Sequence, residues 1–277
     1  MKTLFVATDF SANALNAAIY ATNMAKDIHA SILLFHVTTL PVNYGEIPGV
    51  VQSDEMMHEA NALMTTLIDQ LNIESGHSVE IQPLIKMGIF NAELQVSCAA
   101  IKPYAVIMGT QGSTSTERLM FGSHTLYAAR NLDWPFIGIP PGVTYKPVKK
   151  IALACDFRQI NETMPLETVQ LLTKDFDAAL YILHSGDMEQ FNPEKEFSSG
   201  RLRDMLSTLH PVFHFINTPD VDTGIMNFVQ HQEVDWLIVL PKKHGFLDRI
   251  LHKSHTSQLL LHCRVPVIAL HQHSSIN

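Results

Sequence analysis

The sequence predicts an α/β protein made of two tandem doubly wound domains, each a five-stranded parallel sheet flanked by helices. Three observations carry this. Short, continuously apolar runs, such as residues 31–37, alternate with stretches of helical periodicity, as strands buried on both faces alternate with crossover helices. The pattern stops at Pro140-Pro141-Gly142 and Lys146-Pro147 and then starts again, so the chain is an internal duplication. With 277 residues and 46% hydrophobic content, the chain is long and apolar enough for two cores. The expected domains are residues 1–141 and 147–277.

Residues 4–8 form the first expected strand, with Asp9 at its carboxyl end. Ser11 is placed to cap a helix on which Leu15, Ala18, Ile19, Thr22 and Ala25 share a face. Residues 31–37 are a second strand. Pro41, Gly45, Pro48 and Gly49 make residues 38–53 a loop. Ala60, Leu63, Met64, Leu67, Ile68 and Leu71 mark the inner face of a long second helix. A strand over 79–85, a helix over 91–101, a strand over 104–108 and a last strand over 135–139 complete the first half. Right-handed crossovers then place helices on both faces of a parallel sheet.

The second half repeats the first. Ile151-Ala152-Leu153-Ala154-Cys155-Asp156-Phe157 echoes Leu4-Phe5-Val6-Ala7-Thr8-Asp9-Phe10, and Ala179 to His184 echoes Ser31 to His36. Leu202, Met205, Leu206 and Leu209 restore the long helix, residues 212–216 a strand, Trp236 to Leu240 the fourth strand, and residues 265–270 the last.

Composition narrows the function. A formal charge of −8 argues against a general nucleic-acid or anionic-membrane binder. No apolar run approaches the roughly 20 residues that span a bilayer. The amino terminus, with a single Lys2 and a short apolar run, does not resemble a signal peptide. Cys98, Cys155 and Cys263 lie far apart without metal spacing and read as small buried residues of a reducing compartment. The cytoplasm is the expected location.

The chemistry concentrates after the strand at 104–108, in Gly109-Thr110-Gln111-Gly112-Ser113-Thr114-Ser115-Thr116-Glu117-Arg118-Leu119-Met120-Phe121-Gly122-Ser123. A loop from a strand's carboxyl end to a helix's amino end offers backbone N–H groups and a positive dipole to an anion. Ser123 is expected to cap a helix running to about residue 130. Gly109 and Gly112, then nine residues, then Gly122-Ser123, resemble the nucleotide-binding signature of the universal stress protein family, and the duplication extends that resemblance over nearly the whole chain.

The resemblance implies a strand order that puts the first and fourth strands side by side, so that Asp9 and Gly109 flank one crevice. It implies ATP or AMP as the ligand. Thr8, Asp9 and the backbone at Val37 would lie toward adenine and ribose, and Met108 and Gly109 would form the floor. Gly112, Gly122, Ser123, His124 and Thr125 would surround the phosphates. The other reading of Asp9 is as the cap of the first helix. Arg118 is placed to approach a phosphate, although a solvated loop arginine needs no ligand. The hydroxyls of residues 113–116 need none either.

No Lys-Ser/Thr ending of a P-loop follows the glycines, and no nucleophile or base is identified. His244, His252 and His255 are the best histidine cluster, but they read as surface residues, and no metal site is expected. In the second half, Leu240 falls opposite Gly109, Lys243 opposite Gly112 and Lys253 opposite Gly122, while Asp156 keeps the place of Asp9. Gly245 falls opposite Thr114 and does not restore the cradle.

The expected function is therefore adenine-nucleotide binding by the first half in a stress response, with the bound state signalling to a protein partner. The alternatives are slow ATP hydrolysis and a nucleotide-independent scaffold. The resemblance also implies pairing of residues 136–139 with 267–270 as an intrachain pseudo-dimer, covering edges that would otherwise invite aggregation.

Overall fold

A computed structural model describes residues 1–39, 49–110, 115–155, 164–185, 208–241 and 255–271. In chain order the first half gives β1 (Thr3–Ala7), α1 (Ala12–Ile28), β2 (Ser31–Thr38), α2 (Gly49–Ser75), β3 (Ile81–Met87), α3 (Phe90–Ile101), β4 (Ala105–Gly109), α4 (Ser115–Asn131) and β5 (Phe136–Ile139). The second half gives β6 (Lys150–Ala154), α5 (Leu166–Asp175), β7 (Ala179–Ser185), β8 (Val212–Ile216), α6 (Val221–His231), β9 (Trp236–Val239), α7 (His255–His262) and β10 (Val267–Ala269).

The strands join into a single ten-stranded sheet in the order β3-β2-β1-β4-β5-β10-β9-β6-β7-β8. Each half thus runs in the same order from its outer edge to the middle. Every pairing is parallel except the central one, where β5 and β10 are antiparallel with Ile268 opposite Ile137. The two strands matched in the sequence therefore do cover each other's edges. β1 and β4 are neighbours, with Val6 opposite Ile107, which brings the carboxyl ends of both strands together.

Alternation along the strands divides the core. Leu4, Val6, Ile32, Leu34, Ile107 and Ile137 face α1 and α2. Phe5, Ala7, Leu33, Phe35, Val106 and Met108 face the other way, onto Leu94 and Cys98 of α3 and Ala128 and Ala129 of α4. Side-chain contacts across the middle tie the halves. The buried Trp236 Nε1–H donates to the Tyr20 hydroxyl at 2.7 Å. On Asp175, Lys2 Nζ makes an ion pair at 2.8 Å and the Tyr104 hydroxyl donates at 2.8 Å. The linker is clamped by Asp235, which accepts the backbone N–H of Lys149 and Lys150 at 2.8 and 2.9 Å and pairs with Lys146 Nζ at 2.8 Å.

Several boundaries differ from the sequence reading. α4 starts at Ser115, so Ser123 lies inside the helix and does not cap it. Glu117, Arg118, Leu119 and Met120 are strong helix formers with no proline among them, and they carry the helix back by two turns. α2 likewise begins at Gly49, inside the expected loop, because Pro48 suits the position before a first turn but nothing after it breaks a helix. β3 sits two residues later than expected, following its pairing with β2 at Ile32 opposite Ile81. On α2, Leu63 is exposed, outside the buried stripe of Ala60, Met64, Leu67 and Leu71. Cys155 is only half-buried, whereas Cys98 and Cys263 are buried, and none of the three is in a disulfide. Leu202, Met205 and Leu206 lie outside the described residues.

Candidate functional site

The turn after β1 is built by its own polar side chains. Thr8 extends the β1–β2 ladder by donating its N–H to the Phe35 carbonyl at 2.8 Å, and its Oγ1 accepts the Phe10 N–H at 3.0 Å. Asp9 Oδ1 accepts the Ser11 N–H at 3.0 Å. Ser11 caps α1, its Oγ accepting the Ala14 N–H at 3.2 Å. The cap is therefore Ser11, not Asp9. Asp9 shapes the turn with one oxygen, and Oδ2 has no hydrogen-bond partner among the described residues.

The end of β4 lies beside this turn. A Cβ on Gly109 would stand 2.9 Å from the Asn13 carbonyl oxygen and 3.2 Å from its carbon, so the first turn of α1 rests directly on the strand. The glycine spacing points to a ligand here, and the packing adds a constraint from the helix above that spacing does not reveal. Thr110 is buried and donates its N–H to the Ile139 carbonyl at 3.0 Å. Met108 packs into the core under α3 and α4, leaving only its backbone to border the crevice. From α4, the buried Thr125 Oγ1–H donates to the Gly109 carbonyl at 3.1 Å, pinning the helix to the strand end.

The remaining candidates divide. Val37 is half-buried opposite Lys86 of β3. His124 turns to α3: its Nδ1 is 3.0 Å from Asn91 Oδ1 and its ring lies 4.5 Å from that of Phe90. Burial lowers its pKa, which favours the neutral imidazole over a cation facing phosphate. Ser123 is exposed on α4, Gly122 is one residue before it in the same helix, and Gly112 lies outside the described residues, as do Gln111, Ser113 and Thr114.

In the second half, Cys155 takes the place of Thr8 and donates its N–H to the Leu183 carbonyl at 3.1 Å. Leu240, opposite Gly109, is half-buried. His255, opposite His124, sits with Nδ1 2.7 Å from Asp222 Oδ1, where the first half has Asn91. Asp156, Lys243, His244, Gly245, His252 and Lys253 lie outside the described residues. Among the described residues no three His, Cys, Asp or Glu side chains come together as a metal site, and no helix is long and apolar enough to cross a membrane.

A cleft of about 390 Å³ lies away from the glycine loop, between α1, the end of α2 and the linker. Several of its polar groups already have partners. Asn16 donates to the Pro140 and Val143 carbonyls, Asn23 to Glu74, and the Tyr145 hydroxyl to Asp27. It packs the linker onto α1 and does not compete with the strand ends as a ligand site.

Comparison with known proteins agrees with the fold. The model of the Universal stress protein family matches residues 1–140. A universal stress protein from Archaeoglobus fulgidus DSM 4304 has the same fold over both halves, with a TM-score of 0.74, 15% identity, and coverage of 97% of this chain and 96% of that one. A functionally unknown protein from Pseudomonas aeruginosa PAO1 gives a TM-score of 0.57 at 12% identity, covering 98% and 92%. A universal stress protein in complex with cAMP is 19% identical over 43% of this chain and 81% of its own, at a TM-score of 0.31. No curated protein matches the chain.

Proposed function

Because the chain belongs to the universal stress protein family, we propose that its first half holds one adenine nucleotide, ATP or AMP, at the carboxyl ends of β1 and β4, and that the bound state signals to a protein partner. The observation that carries this is the junction of two elements about 100 residues apart. Asp9 Oδ2, without a partner among the described residues, stands at the end of the strand beside the one that leads into the glycine loop. Crevices at the carboxyl ends of such strands, where the order reverses, are where doubly wound sheets take ligands. Thr8, Asp9 and the backbone at Val37 would meet base and ribose. Met108 and Gly109 would form the floor, and Gly112, Gly122, Ser123, His124 and Thr125 the phosphate end.

Gly122 supports the reading from another side. Inside a helix, glycine costs about 1 kcal/mol relative to alanine, so helix propensity does not favour it at this place in α4. A phosphate does, because residues without Cβ let oxygen atoms approach the amides. Those amides are tied into the helix while α4 starts at Ser115. Binding then entails moving the helix start to Ser123, with Thr125 still anchored on Gly109. His124, favoured neutral, would act by hydrogen bonding and not by charge.

Thermal unfolding tests the proposal. A ligand at about 100 times its dissociation constant adds about 2.7 kcal/mol to the folded state, so ATP or AMP raises the melting temperature visibly. Gly122→Val removes the rise. An equal rise in that variant contradicts the phosphate assignment, and no rise with either nucleotide contradicts the function.

A further inference from the structure

We infer that His36 is a positioning residue of the nucleotide crevice, holding the β1–α1 turn in the shape that presents Asp9 to a ligand; this rests on the reading of that crevice given above. His36 Nδ1 lies 2.8 Å from the Thr8 carbonyl oxygen. A carbonyl can only accept, so Nδ1 carries the proton and donates it, which fixes the tautomer of a neutral ring and its orientation. The same ring lies 4.5 Å from that of Phe10, tilted by 39°. His36 thus holds the residue before Asp9 by its backbone and the residue after it by its ring.

That grip matters because Phe10 needs it. Its φ is +63°, in the left-handed region that a bulky L residue disfavours. This one residue sets the angle at which the chain leaves β1 for α1. A Phe10 relaxed to negative φ would move Ser11 and the start of α1 relative to Asp9 and break the Asp9–Ser11 contact at 3.0 Å that shapes the turn. The imidazole lying against the Phe10 ring opposes that relaxation, and the hydrogen bond to Thr8 keeps the imidazole where it can do so. Asp9 then keeps one oxygen on the turn and aims the other outward.

The experiment uses the full chain and compares His36→Leu, His36→Asn, His36→Gln, Asp9→Asn and the double variant His36→Leu/Asp9→Asn. Asparagine carries an N–H close to the place of Nδ1, whereas glutamine carries it further out. ATP affinity by calorimetry should fall about tenfold in His36→Leu and about as much in Asp9→Asn, with the double variant no weaker than either. His36→Asn should bind more tightly than His36→Gln. Amide exchange without nucleotide should speed up about tenfold at Phe10 and Ser11 in His36→Leu and stay unchanged in β6 and β9.

A merely structural histidine would lower the melting temperature while leaving the losses of His36 and Asp9 additive, and additivity overturns the inference. So does unchanged exchange at Phe10 and Ser11. Should His36→Leu fail to fold, the order of the asparagine and glutamine variants decides. ATP binding weakened by Asp9→Asn but not by the His36 variants sinks this inference alone. A wild-type chain that binds no adenine nucleotide sinks the crevice reading and this inference with it.

Discussion

Gly109 has a packing role beside the ligand role proposed for it, and only the second was legible in the sequence. Its place after an apolar strand and before a second glycine pointed to a ligand, because spacing is visible in sequence. The α1 turn lying 2.9 Å from its absent Cβ is not visible, because it depends on packing between residues 96 positions apart. The obstructing atom is a backbone carbonyl that cannot rotate aside. Gly109→Ala should therefore destabilise the protein by about 1–3 kcal/mol in urea unfolding even without nucleotide, and a loss within error of zero would place α1 further away. Asp235 gives a pH test at the same scale. Burial raises its carboxyl, but the hydrogen bond from Lys146 and the N–H groups of Lys149 and Lys150 outweigh that and hold the pKa below the usual carboxylate range. A folded pKa below the unfolded one contributes stability that is present above the unfolded value, about 3.9, and is lost as pH falls through the folded value. Urea midpoints taken downward from about pH 6 should fall less steeply in Asp235→Asn than in wild type. Parallel curves would show that the linker clamp contributes nothing to acid lability.

Elements were legible where apolar pattern decides them and misplaced where propensity and caps compete. All ten expected strands form, since a buried parallel strand shows as an unbroken apolar run. The start of α4 was misread because Ser123 has the chemistry of a cap, while Glu117 to Met120 favour helix and nothing in the described chain stops it. The proposal predicts where this conflict goes on binding. Added ATP should speed amide exchange over residues 115–122 while slowing it at Thr8 to Ser11, and protection rising over both segments would refute the shift of the helix start. The helix-to-strand contact between halves makes a separate prediction. Trp236→Phe leaves the buried Tyr20 hydroxyl without its donor and should cost about 1–3 kcal/mol. Adding Tyr20→Phe should recover part of that loss, because both polar partners are then gone. Strictly additive losses would mean that the hydrogen bond does not couple α1 to β9.

At the scale of the molecule, the duplication built one sheet from two and left the halves unequal. The antiparallel β5–β10 pair turns two edges into the middle of a ten-stranded sheet, a pairing of residues 136–139 with 267–270 that the family resemblance implied. What differs between the halves is the crevice. Gly109 faces the first turn of α1, whereas its counterpart Leu240 carries a half-buried side chain; Asn91 beside His124 becomes Asp222 beside His255. The phosphate end of the second half, with Lys243 and Lys253 in the glycine positions, was read from sequence alone and lies outside the described residues. The proposed function requires that one nucleotide binds per chain, in the first half. Titration calorimetry with ATP on wild type and Gly122→Val tests it most directly. The predicted result is a stoichiometry near one in wild type, with no binding left in the variant. A stoichiometry near two, half of it surviving Gly122→Val, would contradict the account.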